Sequence, residues 1–137
     1  MSQLIKISLL AKYEIAREGL RNILSGESFQ IQASVADASA LFDAQGAIVD
    51  DVDCHVIVVD GGDSGFGLDA CRRLAAKKIH ARLALLFDHY VFEDVVEAFQ
   101  IGVDAVIVKE ILCAPLVESI KLAALGERCS RRSWSTI

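Results

Sequence analysis

The chain has 137 residues, the length of one domain, and its 53 % apolar and 24 % charged residues allow a sizeable core and exclude a disordered composition. A formal net charge of −5 argues against a broad basic face for nucleic acid, and no apolar run approaches the length that spans a bilayer. The N-terminus, Met1-Ser2-Gln3-Leu4, has no basic segment ahead of a long apolar core, so the cytoplasm is the expected location.

Leu4 to Leu10 reads as a first strand. Glu14 to Leu24 reads as a helix because Ala16, Leu20, Ile23 and Leu24 share one face, and Ser25-Gly26 ends it. Phe29 to Val35 is a weaker second strand. Asp37 and Ser39 are each suited to cap a helix through Leu41 and Phe42 to about Ile48. His55-Val56-Ile57-Val58-Val59 is a near-continuous β-branched run, as in a central parallel strand buried on both faces, and Asp60 stands at its carboxyl end. The loop Gly61 to Gly67 leads into a helix from about Leu68 to Lys78, with Leu68, Cys71 and Ala75 on one side. Leu83 to Phe87 is a fourth strand, and the next helix carries Val95, Ala98, Phe99 and Gly102 at helical spacing. Ala105 to Val108 is a fifth strand closed by Lys109. Pro115 suits a helix start, Leu116, Ile120, Ala123 and Ala124 line one face, and Gly126 can end that helix.

Five strands and five helices in strict alternation imply right-handed crossovers, with helices on both faces of a parallel sheet. The expected fold class is α/β: a flavodoxin-like doubly wound (βα)5 with a five-stranded parallel sheet in the order 2-1-3-4-5. The domain is expected to occupy residues 1–126. Residues 127–137, rich in Arg and Ser, read as a linker or the start of a C-terminal region. Cys54, Cys71, Cys113 and Cys129 lack metal or redox spacing and read as reduced thiols packed as small apolar groups. His55, His80 and His89 read as strand-start or loop residues, and no metal site is expected.

Open parallel sheets bind ligands at the carboxyl ends of their strands, near the reversal of strand order. Those ends carry Ala11 and Lys12, Asp60, Phe87 with Asp88, and Lys109. An acid ending the central strand together with a lysine ending the last one is a more specific signal than either alone. The loop Gly61-Gly62-Asp63-Ser64-Gly65 lacks the lysine and spacing of a phosphate-cradling P-loop and reads as a turn. Arg72, Arg73, Lys77 and Lys78 read as a solvated helix face.

Three stretches carry a resemblance: Leu10 to Arg21, with Arg17-Glu18-Gly19-Leu20 as its most specific piece; Val56 to Asp60; and Gly102 to Lys109. Together they resemble the receiver domains of two-component response regulators, in particular the branch linked to LuxR/NarL/FixJ-type DNA-binding domains. The likeness covers about residues 4–126. It implies that Asp60 matches the aspartate that takes phosphate from a histidine kinase with Mg²⁺ assistance. Lys109 matches the lysine that contacts a phosphoryl oxygen. Where the family has a metal-binding acidic pair, this chain has Ala11 and Lys12. Its Ser or Thr ending the fourth strand is Phe87 here, its aromatic switch residue is Val106, and the Pro of the loop after the aspartate is Ser64 in a loop one residue short.

The family's pocket, with three carboxylates and one lysine, carries about −2 and suits a divalent cation. This one sets Asp60 against Lys12 and Lys109, about +1. Two unit charges about 4 Å apart interact by roughly 4 kcal/mol at intermediate dielectric, enough to suppress metal binding. Lys12 is expected to pair with Asp60, while Asp63 and Asp88 read as solvated loop acids, with partial replacement of the lost acids as the alternative. The reading is a signalling module and not an enzyme. It would be the regulatory N-terminal half of a LuxR/NarL-type transcription regulator, phosphorylation-independent or weakly phosphorylated, without a cofactor. Expected partners are a histidine kinase or another regulatory protein, and a second copy through the fourth helix, fifth strand and fifth helix. DNA would be met only through a C-terminal domain outside this chain. One alternative is a phosphorylatable receiver that uses Asp60 with Mg²⁺ in a non-standard site. An alternative of another class is a small flavodoxin-like enzyme or cofactor binder.

Overall fold

The computed structural model describes residues 5–25, 29–44, 55–61, 65–77, 81–108 and 113–124. The elements run β1 (Ile5–Ala11), α1 (Glu14–Leu24), β2 (Phe29–Val35), α2 (Ala38–Ala44), β3 (His55–Asp60), α3 (Phe66–Ala76), β4 (Arg82–Phe87), α4 (Phe92–Ile101), β5 (Ala105–Val108) and α5 (Cys113–Ala124). All pairings are parallel and the sheet order is β2-β1-β3-β4-β5, the flavodoxin-like arrangement expected from the sequence.

The alternation of side chains along each strand divides the core. Ile7, Leu9, Val56, Val58, Leu86 and Ile107 face α1 and α5, meeting Leu20, Leu24, Ile120 and Ala123. Leu10, Ile57, Val59, Leu85 and Val106 face α2, α3 and α4, meeting Leu41, Leu68, Cys71, Leu74 and Ala98. Every residue of β3 is buried, as its unbroken apolar run requires between two helix layers. Each fully buried Leu, Ile or Val contributes about 1.5–3 kcal/mol, so this double core is the main source of stability. Phe99 of α4 packs against both clusters, which places α4 at the β5 edge of the sheet.

Some boundaries differ from the sequence reading. Asp37, and not Ser39, caps α2: its Oδ1 accepts the Ala40 N–H at 2.8 Å, while Ser39 lies in the first turn. The expected extension to Ile48 lies outside the described residues. Helix α3 begins at Phe66, two residues before Leu68, because Gly67 is accommodated inside the first turn. Its expected end at Lys78 is outside the described residues, as is Leu4. Pro115 stands in the first turn of α5, at the helix start expected for it; the opening N–H groups of a helix have no partner within it, so a proline costs no bond there. Gly102 closes α4 in the left-handed region with φ 117°, and its N–H reaches the Ala98 and Phe99 carbonyls at 3.2 Å. Asp104 then aligns β4 with β5, its Oδ2 accepting the Leu83 N–H and its own N–H donating to the Leu83 carbonyl, each at 2.9 Å.

Candidate functional site

The carboxyl ends of β1, β3 and β4 meet at Asp60. In register, Ala11 lies beside Asp60 on one side and Leu86 on the other. Asp60 is only 6 % exposed although it ends its strand. The chain then turns at Gly61, whose N–H donates to the Leu86 carbonyl at 2.7 Å. Gly61 and Gly67 lie backbone to backbone. A Cβ on Gly67 would run into the Gly61 Cα, and it would stand 2.8 Å from the Leu85 Cδ1. Two glycines therefore let α3 start directly under the end of β3.

Ala11 is buried and offers only a methyl group where a ligating oxygen would be needed. Lys12 is exposed, with its Nζ 5.5 Å from the centroid of the Tyr13 ring. A cation at that distance from an aromatic face is attracted to it, so the ring supplies a seat for the ammonium other than the expected one on Asp60. A second cation reaches this edge: Arg17 of α1 turns back and donates from Nη1 to the Ala11 carbonyl at 2.8 Å. Phe87 and Val106 are both buried in the cluster beneath α2, α3 and α4. Phe87 can donate nothing to a phosphoryl oxygen, and neither residue is an aromatic ring free to swing. Asp88 follows Phe87 and is half-buried. Lys109, Asp63 and Ser64 lie outside the described residues.

These residues do not fit Mg²⁺. The ion wants several hard oxygen ligands in octahedral array, and the position beside Asp60 carries alanine and is followed by a lysine. Among the described residues, no three His, Cys, Asp or Glu side chains gather as metal donors would. No chemistry through a metal is derived for this edge.

A second buried polar pair sits at the opposite end of β3. His55 Nε2 and Ser8 Oγ are hydrogen-bonded at 2.8 Å, and among the described residues His55 Nδ1 has no partner. Burial, helped by the nearby Lys6 charge, lowers the imidazole from its ordinary 6.5 to about 4, so it is neutral near pH 7. Cys71, sealed under α3, has its thiol pushed up to about 12 by burial and is an inert packing group, as its sequence context implied. Arg72 and Arg73 are exposed and paired with Glu97 and Asp69, which agrees with a solvated face. Among the described residues no helix is long and apolar enough to cross a membrane.

The structure places Asp60, Ala11, Lys12 and Phe87 at the carboxyl edge of the sheet, where it also brings Arg17, which the sequence reading did not single out, as it did not the Ser8–His55 pair. The signal for Arg17 was its place on the first turns of a helix that must pack back over β1.

A parallel five-stranded sheet in this order, with helices on both faces, defines the doubly wound, flavodoxin-like class of fold. Solved structures agree. The LuxR-family two-component response regulator from Aurantimonas sp. SI85-9A1 superposes with a TM-score of 0.74 at 24 % identity, over 90 % of this chain and 87 % of that one. The signal receiver domain of NarL from Mycobacterium tuberculosis gives 0.76 at 20 % identity, over 90 % and 98 %. The LuxR-family DNA-binding response regulator from Staphylococcus aureus gives 0.70 at 17 % identity, over 88 % and 99 %. No protein-family model matches the chain, and no curated protein does. The chain has the fold of response-regulator receiver domains.

Proposed function

We propose that the chain is a receiver-type signalling module of the LuxR/NarL kind whose output does not depend on phosphate at Asp60. The observation that carries this reading is the register neighbour of Asp60: a buried alanine stands where a metal-holding acid would be required. Without the ion, an incoming phosphoryl group lacks the metal that would bridge its oxygens to Asp60, and Phe87 withholds the hydroxyl. The module acts by contact with other proteins and not by catalysis, in the cytoplasm. A histidine kinase or another regulatory protein is its partner, and DNA is reached only through a further domain. The face of α4, β5 and α5 is where it meets a partner or a second copy, since Phe92 and Val96 of α4 are exposed there.

The test is incubation with acetyl phosphate and Mg²⁺, followed by intact mass measurement. The expected result is an unchanged mass. A phosphoryl increment that disappears in Asp60→Asn overturns phosphate independence and restores the phosphorylatable alternative.

A further inference from the structure

The outer face of α4 is apolar in the middle and acidic around it. Phe92, Val96 and Gln100 follow one another at four-residue spacing. With Glu93 and Glu97 they line a groove of about 410 Å³. Phe92 is 62 % exposed, and Tyr90 and Val91 just before the helix are exposed as well. Helix α4 holds three acids, Glu93, Asp94 and Glu97, and no basic residue. Arg72 of α3 takes up one of them, Glu97. The face therefore suits a cationic segment that brings one large apolar side chain.

The chain contains such a segment. Residues 128–137 hold three arginines, Arg128, Arg131 and Arg132, no acid, and Trp134, the only tryptophan. We propose that this segment docks on the outer face of α4, with the Trp134 indole against Phe92 and Val96 and the arginines facing Glu93 on the groove's rim. An indole buries on the order of 200 Å² when it seats in such a groove. The tether permits it. Ten positions separate Ala124 from Trp134, a reach of up to about 35 Å, whereas α4, with ten residues, is about 15 Å long. A short tether also gives the segment a high effective concentration that a separate peptide lacks. The docking stands whether or not Asp60 takes phosphate. Only its regulatory meaning rests on the functional reading above: the segment occupies the α4 face that a partner would need, so a partner must displace it.

Trp134 is its own probe, in the full chain. The expected result is blue-shifted emission protected from acrylamide, unchanged on dilution. Val96→Asp is expected to abolish the shift. Arg131→Glu with Arg132→Glu does the same, and adding Glu93→Lys to that variant restores it. Emission typical of indole in water in the unaltered chain overturns the proposal. So does a blue shift that survives both sets of substitutions, which places the segment elsewhere. A shift that vanishes on dilution assigns the groove to a second copy and overturns docking within one chain.

Discussion

Strand β3 carries an ionisable residue at each end, and the two ends handle it in opposite ways. At the amino end His55 is 2 % exposed, tied to Ser8 and held neutral. At the carboxyl end Asp60 is 6 % exposed, yet it sits where the loops leave the sheet, with Arg17 and Lys12 on the neighbouring turn. Burial alone does not distinguish a polar group sealed inside the sheet from one that loops can reach. Position along the strand does, because only the carboxyl edge lies where loops can bring chemistry to the acid.

Acid separates the two ends most strongly. The folded chain keeps His55 neutral down to about pH 4, whereas the unfolded chain protonates near 6.5. Above 6.5 neither state binds the proton and the residue adds no pH dependence. As pH falls from 6.5 towards 4, the unfolded state takes up the proton first and stability drops, by up to about 3 kcal/mol at the low end. Urea unfolding at stepped pH is expected to show this loss in the parent and not in His55→Leu. Equal pH slopes in the two proteins would mean that the imidazole is solvated after all.

At the carboxyl end, the corresponding structural dependence lies in the glycines. Gly67→Ala forces a methyl group into the Gly61 backbone and is expected to cost about 2 kcal/mol in urea unfolding, through overpacking that cannot relax past a main chain. At the amino end, Ser8→Ala leaves the buried imidazole with neither nitrogen paired. Its expected cost is smaller, about 1 kcal/mol, the low end of the penalty for leaving a buried polar atom unsatisfied. A reversed order of these two losses would mean that the amino end, and not the approach of Gly67 to Gly61, is the tighter one.

The sequence disclosed the parts of this contrast unevenly. The strands were legible because their β-branched runs must be buried on two faces, and α1 began and ended where its apolar face did. Asp60 was legible because an acid cannot interrupt such a run and can only end it. The start of α3 was not, since Phe66-Gly67 carries a loop signature and becomes helical only through the approach of Gly61. Ser8 and His55 are 47 residues apart, and their bond follows from the lateral register of β1 on β3, which no local pattern encodes. Arg17 belongs to the site through a contact with the Ala11 carbonyl six residues back, across a turn whose geometry the residue types do not specify.

The smallest expected effect concerns the residue on which the charge argument turned. Lys12 is exposed and its ammonium rests near Tyr13, itself largely exposed. An exposed cation–π contact is worth about 0.5–1 kcal/mol at most, and surface substitutions away from buried features fall within about 0.5 kcal/mol. Lys12→Ala is therefore expected to leave the urea midpoint almost unchanged, far less affected than in Ser8→Ala, although both residues neighbour an ionisable group of β3. A loss above about 1 kcal/mol would place the ammonium on the buried carboxylate of Asp60, since removing one member of a buried pair strands the other charge. The paired arrangement expected from the sequence would then be the dominant one in solution, and the carboxyl end of β3 would be locked by charge much as the amino end is locked by Ser8.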